Sequence, residues 1–239
     1  MVRDRLPERL REVQDRVAEA CARIGRDPAE IRIVAITKGH PATALTAAID
    51  AGLRDVGENR VDEAVEKFSQ AAAPLERHGV TRHMVGHLQR NKVGRAMTVF
   101  DWVQSVDSLR LARALSGRAG ETGVALPILV EVNAGGEEQK HGFRPEEAVE
   151  RAAEIAELPG LCLRGFMTMA PWTDDAGLLR ATFRRGRAAF ERLTGTAVGG
   201  DARIDTLSMG MSGDYPIAIE EGSTMLRLGT ALFGSRREE

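Results

Sequence analysis

Lys38 is the residue whose position in this sequence most clearly suggests chemistry. It follows the β-branched run IRIVAI at 31–36, whereas the chain's other lysines fall in a charged helix or in polar segments: Lys67, Lys92 and Lys140. At the end of an apolar strand, desolvation disfavours the ammonium form and favours the free amine that attack on a carbonyl requires. The alternative is a lysine that extends from the strand end into solvent.

The segment LSMGMSGDYPIAIEEG at 207–222 is the second chemical feature. Ser208 and Ser212 flank a glycine turn, and a helix is predicted from Asp214 to Gly222. Backbone N–H groups in such a turn form an anion site, to which the hydroxyls add donors. The alternative is simple N-capping of the helix by Ser212 or Asp214. The dipeptide Gly229-Thr230, after the last predicted strand, is a second candidate for phosphate contacts.

Arg227 lies one residue before the end of that last strand. Alternation along the strand puts it on the same face as Met225, and an inward guanidinium needs an anion or a strong acceptor. The alternative is an outward arginine that pairs with a helix carboxylate. Asn59 and His83 are weaker candidates, because asparagine is a common turn residue and a strand histidine is often simply hydrogen-bonded in place.

Strand-like and helix-like runs alternate after one leading helix at 7–24. The predicted strands are 31–37, 54–57, 82–85, 99–104, 126–133, 161–168, 204–208 and 225–228. Proline and glycine punctuate helices that begin at Pro41 and at Pro145. Alternation of this kind predicts an α/β fold, a single (β/α)8 TIM-type barrel with an extra N-terminal helix, forming one domain over 1–239. An open doubly wound sheet is the alternative.

The polar and glycine residues singled out above lie near or just past the C-terminal ends of predicted strands, where barrels carry their active sites. The chain's net charge is −2 and its pI about 6.3, so neither nucleic acid nor an anionic membrane is an expected partner. Cys21 and Cys162 are isolated, which favours two core cysteines in a reducing compartment. Without a signal-peptide pattern, the expected location is cytoplasmic. Cysteine and histidine spacing predicts no metal site, and nucleotide and hydrolase motifs are absent.

Several motifs resemble one known family across nearly the whole chain. They are TKGHP around Lys38, VGENRVDEA at 56–64, HMVGHLQRNK at 83–92, QKHGF at 139–143, LRGFMTMAP at 163–171 and LSMGMSGDYPIAIEEGSTMLRLGTALFG at 207–234. The sequence is similar to the pyridoxal phosphate homeostasis proteins. Two departures stand out: Arg82 precedes His83, and Arg60 follows the GEN motif, where the family often has aromatic residues.

The resemblance implies a barrel like the N-terminal domain of alanine racemase, with pyridoxal 5'-phosphate (PLP) held as a Schiff base on Lys38. It implies phosphate contacts from Ser208, Ser212 and Gly229-Thr230. Arg227 is expected near the pyridine nitrogen, where it keeps that nitrogen unprotonated and weakens the ring as an electron sink. Asn59 and His83 are expected near the cofactor ring.

Two functions from different classes follow from this resemblance. The first is a non-catalytic PLP carrier or reservoir, a monomer that serves PLP-dependent apoenzymes. The second is an amino-acid racemase, which needs an acid/base group on each face of the substrate. The only tyrosine, Tyr215, is expected to pack inside a helix, which favours the carrier. A barrel that binds another phosphorylated metabolite is a third hypothesis.

Overall fold

Eight parallel strands close into a barrel in which each strand pairs with its sequence neighbours and β1 pairs with β8. The computed structural model of the chain describes residues 2–123, 125–137 and 141–235. The strands are β1 Arg32–Ile36, β2 Asp55–Glu58, β3 Thr81–Met84, β4 Trp102–Val106, β5 Leu126–Val132, β6 Leu161–Thr168, β7 Thr206–Ser208 and β8 Met225–Leu228. The predicted TIM-type barrel is confirmed, and the open sheet is wrong.

Helices surround the barrel, and one helix precedes it, as the sequence predicts. They are α1 Val2–Arg23, α2 Ala42–Asp50, α3 Val61–Gln70, α4 Ala72–Arg77, α5 Val93–Ala96, α6 Leu109–Thr122, α7 Ala148–Ala156, α8 Ala176–Thr194, α9 Tyr215–Glu220 and α10 Thr230–Phe233. Short 3-10 turns lie at Pro28–Glu30 and Arg90–Lys92. Among the described residues, no helix is both long and apolar enough to cross a membrane.

The boundaries of the fourth strand are the main error of the strand prediction. Val99 and Phe100 look like strand residues, but the Phe100 amide donates to the carbonyl of Ala96 and closes α5. The Phe100 ring instead packs edge-on against Phe68 of α3, with 5.8 Å between the ring centroids. Ser105, which the predicted range 99–104 leaves just past the strand, therefore lies inside β4. The helix expected from Pro145 likewise begins three residues later, at Ala148.

Two apolar layers follow from the alternation of side chains along the strands. The larger layer fills the space between barrel and helices and includes Cys21. The smaller one fills the barrel interior and consists of Val34, Ile36, Val85, Trp102, Leu129, Met167 and Met225. Cys162 was expected in the core, and this is wrong. It lies near the start of β6, is partly exposed, and its thiol donates to the carbonyl of Asp201.

Candidate functional site

Lys38 is the second residue after β1 and is partly buried. Its loop is held by the Thr37 amide, which donates to the Gly57 carbonyl over 3.1 Å, and by the Gly39 amide, which donates to Glu63 over 2.6 Å. Val34 and Ile36 of β1 face the barrel interior, and Lys38 lies in the turn that follows them at the strand's C-terminal end. The position is therefore fixed from both sides, at the C-terminal mouth of the barrel.

A buried polar network lies behind Lys38, between the barrel and α3. Lys67, expected on a charged helix surface, is instead buried and donates to the Thr37 carbonyl over 2.6 Å. It also donates to Glu58, and the Thr37 hydroxyl donates to the same carboxylate oxygen. Burial raises the pKa of Glu58, although Lys67 and Thr37 oppose this. This network holds the residue that immediately precedes Lys38.

A second polar network crosses the barrel interior. Arg227 donates to the Ser208 hydroxyl over 2.7 Å, and Ser208 donates to Gln104 over 2.7 Å. The Gln104 amide lies 3.1 Å from His83 Nδ1, and His83 Nε2 lies 2.9 Å from Asp55. The network thus connects the end of β8 with the start of β2, on opposite ends of the barrel.

His83 is a structural part of this network. Both ring nitrogens are engaged within the barrel, with Nε2 on a carboxylate and Nδ1 accepting from an amide. Burial lowers the pKa of His83, so the neutral ring with its proton on Nε2 fits both contacts. The alternative of a strand histidine hydrogen-bonded in place describes the geometry. The ring reaches toward Asp55, at the N-terminal end of β2 and away from the mouth.

Arg227 faces the interior, so its outward orientation is excluded. Besides Ser208, it donates to the carbonyl of Thr168 over 2.9 Å, and the side chain is buried. Burial lowers its pKa to about 10, while the charges of Asp214 and Glu131 oppose that shift. Ser208, expected among the phosphate contacts, donates its hydroxyl proton to Gln104 inside the barrel, and its contact with phosphate stays a prediction.

Ser212 has the geometry expected of an anion site. Its hydroxyl oxygen accepts from the Gly229 amide over 3.2 Å and from the Ala231 amide over 3.0 Å. Asp214 shapes the preceding turn by accepting from the Met211 amide over 2.6 Å. With its oxygen held by these two amides, the Ser212 hydroxyl is placed to donate its own proton to a phosphate oxygen. Thr230 is exposed at the start of α10, beside these donors.

The anion site and Lys38 belong to adjacent loops. Ala35 pairs with Leu228 across β1 and β8, so the two loops leave neighbouring strands. A Cβ atom placed on Gly229 would lie 3.4 Å from the carbonyl oxygen of Ile36. Asn59, after β2, is partly buried at the same mouth and packs against Gly86, whose added Cβ would lie 2.4 Å from the Asn59 carbonyl oxygen.

The two sequence departures lie in different places. Arg60 is exposed at the start of α3, beside the mouth. Arg82 forms two side-chain hydrogen bonds with Asp101, which precedes β4, so it lies on the outer side and toward the N-terminal end. Their places in the family motifs predict that both arginines lie beside the site, and for Arg82 this is wrong.

Glu131 is a site residue that sequence reasoning missed. It lies in the apolar run LPILVEV of β5 and is buried. Burial raises its pKa to about 7, and the charge of Asp107 adds to this while Arg227 opposes it. A lone acid two positions after an inward Leu129 is the signal that could have identified it. Gln104 carried a similar signal in β4.

Comparison with known proteins defines the class to which this barrel belongs. A family model described as "Alanine racemase, N-terminal domain" matches residues 9–237. An alanine racemase from Clostridium difficile, 17% identical with a TM-score of 0.75, covers 97% of this chain and 57% of that chain and shares the fold alone. The chain is thus a barrel of the alanine racemase N-terminal class.

Within that class, the chain belongs to the pyridoxal phosphate homeostasis proteins. Proteins of that name are 40% identical in Escherichia coli, over 95% of this chain and 95% of the relative, and 38% identical in Haemophilus influenzae, over 94% and 93%. The structure of PipY from Synechococcus elongatus, described with PLP bound, is 35% identical with a TM-score of 0.78 and covers 91% of this chain and all of that one.

Proposed function

We propose that this chain binds PLP and acts in vitamin B6 homeostasis, as a carrier or reservoir that holds the cofactor as a Schiff base on Lys38. The aldehyde of PLP supplies the electrophile with which a lysine amine condenses. The family and the PLP-bound PipY structure support the binding role. PLP-dependent apoenzymes are the proposed recipients, and the proposed state is a monomer.

The observation that carries this proposal is the position of Ser212 relative to Lys38. The amides of Gly229 and Ala231 converge on the Ser212 hydroxyl, and their loop lies directly beside the loop of Lys38. A ligand with a phosphate at one end and an aldehyde at the other matches this pair of adjacent loops. The residues present therefore fit PLP.

Each residue at the mouth has a role toward that ligand. The donors around Ser212 bind the phosphate, and Lys38 holds the aldehyde carbon. Arg227, fixed by Ser208 and Thr168, presents a cation that remains charged at neutral pH, because its pKa of about 10 is still well above 7. A fixed cation beside the pyridine nitrogen keeps that nitrogen unprotonated, which restrains carbanion chemistry.

The position of Tyr215 favours the carrier over the racemase. Its side chain is buried at the start of α9, and Arg16 of α1 lies over the ring at 5.2 Å from the centroid. It faces the leading helix rather than the mouth. The chain has no other tyrosine to serve as a second base. A steady racemase rate that Lys38→Ala abolishes would contradict the carrier proposal.

The attachment site is tested by borohydride reduction of the PLP-treated protein, followed by peptide mass spectrometry. The expected result is a visible absorption band that reduction removes, with the added mass on Lys38. Lys92→Ala is a matched control, because Lys92 is a partly exposed lysine that pairs with Asp62. It should label as the wild type does, and Lys38→Ala should not. A colourless, unlabelled wild type would instead favour another phosphorylated ligand.

The phosphate site is tested by comparing PLP with pyridoxal, which lacks the phosphate. Ser212→Ala should weaken PLP binding about tenfold or more, the scale of a lost hydrogen bond to a charged group, and leave pyridoxal unchanged. Ser208→Ala is the matched control, because its hydroxyl serves Gln104 and Arg227. If Ser208→Ala alters the preference for PLP over pyridoxal more than Ser212→Ala does, the phosphate site is misplaced.

A further inference from the structure

Three side chains from consecutive loops meet at the mouth of the barrel, outside the residues assigned above. His87 follows β3, Asp107 follows β4, and His141 follows β5. His87 Nδ1 lies 2.9 Å from Asp107 Oδ2, and His141 Nδ1 lies 3.5 Å from the same oxygen. One ligand atom from each residue falls within 4.8 Å of the other two. They are far apart in sequence, so spacing along the chain does not reveal them.

The two imidazole rings lie close enough together for one nitrogen of each to reach a common ion. They stack with 3.9 Å between centroids and 13° between planes, and both direct Nδ1 at the same carboxylate oxygen. With Zn–N distances of about 2.0–2.1 Å, two nitrogens of a tetrahedral site lie roughly 3.4 Å apart, within the 4.8 Å that encloses the three ligand atoms here. Because the two ring planes are nearly parallel, at least one ring must rotate for both nitrogens to point at one ion.

A hydrogen bond from Ser108 orients the carboxylate of Asp107. Its second carboxylate oxygen, Oδ1, accepts from the Ser108 hydroxyl over 3.0 Å, and Ser108 caps the start of α6. The side chain is 9% exposed, whereas His87 and His141 are 43% and 58% exposed. A partner that orients the ligating carboxylate is typical of metal sites, and the exposed rings leave a path for an ion from solvent.

Both histidine loops are also anchored to strands. The Ser105 hydroxyl donates to the Gly86 carbonyl over 2.6 Å, next to His87. On the other side, the Phe143 amide donates to the Glu131 carbonyl over 2.8 Å. Gly142, adjacent to His141, has a φ of +104°, and an added Cβ would lie 2.9 Å from the Glu131 carbonyl oxygen. The histidines thus stand on fixed backbone.

We propose that His87, Asp107 and His141 bind one divalent transition-metal ion of the Zn²⁺ class at the barrel mouth. Two imidazole nitrogens and one carboxylate oxygen suit Zn²⁺ and leave a fourth position for water. This reverses the expectation from the sequence, which considered cysteine and histidine spacing and took no account of an aspartate. The proposal does not depend on PLP binding.

Calorimetric titration with ZnCl₂ tests the site in the full-length, tag-free protein from which PLP has been removed. We expect one equivalent of Zn²⁺ to bind, and Co²⁺ to give the visible spectrum of a low-coordinate site. His87→Gln and His141→Gln should each weaken Zn²⁺ binding about tenfold or more. Losing even a residue that only supports a metal ligand costs about tenfold, so losing a ligand should cost at least that much. The double variant should not bind one equivalent at all.

His78→Gln is the matched control, because His78 lies at the end of α4, away from the three residues. It should bind Zn²⁺ as the wild type does, and circular dichroism should show every variant folded. Three outcomes overturn the proposal: a wild type that binds no Zn²⁺, a control that loses as much affinity as His141→Gln, or binding that survives in the double variant.

Discussion

The two buried polar networks of this barrel differ in how completely their groups are satisfied. In the interior network, from Arg227 through Ser208, Gln104 and His83 to Asp55, each side chain has a partner on both sides. In the outer network, Glu58 Oε2 is the only fully buried side-chain nitrogen or oxygen in the described part of the chain without a hydrogen-bond partner. The side chains of the first network are therefore all hydrogen-bonded, whereas the second contains a buried carboxylate with one oxygen that has no hydrogen-bond partner.

The position of each network explains this difference. The interior network spans the barrel and fixes the orientation of Arg227 from within. The outer network touches the Lys38 loop at Thr37, through its carbonyl and its hydroxyl. It also reaches Gly39, whose amide donates to Glu63, a second partner of Lys67. A buried carboxylate with one unpartnered oxygen depends heavily on its cation, so the outer network should be the more sensitive of the two to the loss of one residue.

Lys67→Met should produce the largest effect. It removes the buried cation beside Glu58, and breaking a buried ion pair costs about 3–5 kcal/mol because a charge remains uncompensated. The free energy of unfolding, from urea denaturation, measures this. Adding Glu58→Gln should recover part of the loss, since the uncompensated charge is then gone. A double variant no more stable than Lys67→Met would show that the loss is one of packing, not of charge.

Glu131 is expected to make the free energy of unfolding depend on pH. Its pKa of about 7 in the folded chain exceeds the usual 4.5, so the folded state keeps a proton that the unfolded state loses. The resulting stability is fully present below about pH 4.5 and is lost as the pH rises to 7. The loss is about 3 kcal/mol at 1.4 kcal/mol per pH unit. Glu131→Gln should remove this slope from chelator-treated protein, as urea denaturation at several pH values will show. An equal slope in the variant would place the titration elsewhere.

Sequence patterns predicted the fold well because they depend on local rules. The bounds of β6 and β8 agree with the prediction, and alternation along β8 correctly offered an inward Arg227. The failures came where tertiary contacts override local pattern. Val99 and Phe100 have strand-like side chains, yet Phe100 closes a helix and packs on Phe68.

The candidate site was only partly predictable for the same reason. Residues at strand ends, such as Lys38 and Ser212, share a location that the barrel topology dictates. Lys67 could not be recognised, because a lysine in a charged helix looks solvated until the position of Glu58 is known. Ser208 and Ser212 look equivalent in sequence. Only the closed barrel shows that Ser208 faces Gln104, whereas Ser212 faces the Gly229 amide.

Gln104→Leu tests the interior network and should have a smaller effect than the loss of Lys67. It leaves the Ser208 hydroxyl proton without an acceptor and His83 Nδ1 without a donor, and each unsatisfied buried group costs about 1–3 kcal/mol. Gln70→Leu is the matched control, since Gln70 is exposed at the end of α3 and should change stability by roughly 0.5 kcal/mol or less. Equal losses of unfolding free energy in both variants would mean that the interior network contributes nothing specific.

Arg82→Gln should have the smallest effect on the free energy of unfolding among these variants. The side chains of Arg82 and Asp101 are 32% and 39% exposed, and exposed ion pairs contribute less than about 1 kcal/mol. Because this pair lies outside the barrel and away from the mouth, PLP affinity should stay at the wild-type value. Urea denaturation and a PLP titration of the same variant measure both. If PLP affinity falls while the free energy of unfolding is unchanged, Arg82 influences PLP binding through β3, and the assignment of Arg82 to a place away from the site is contradicted.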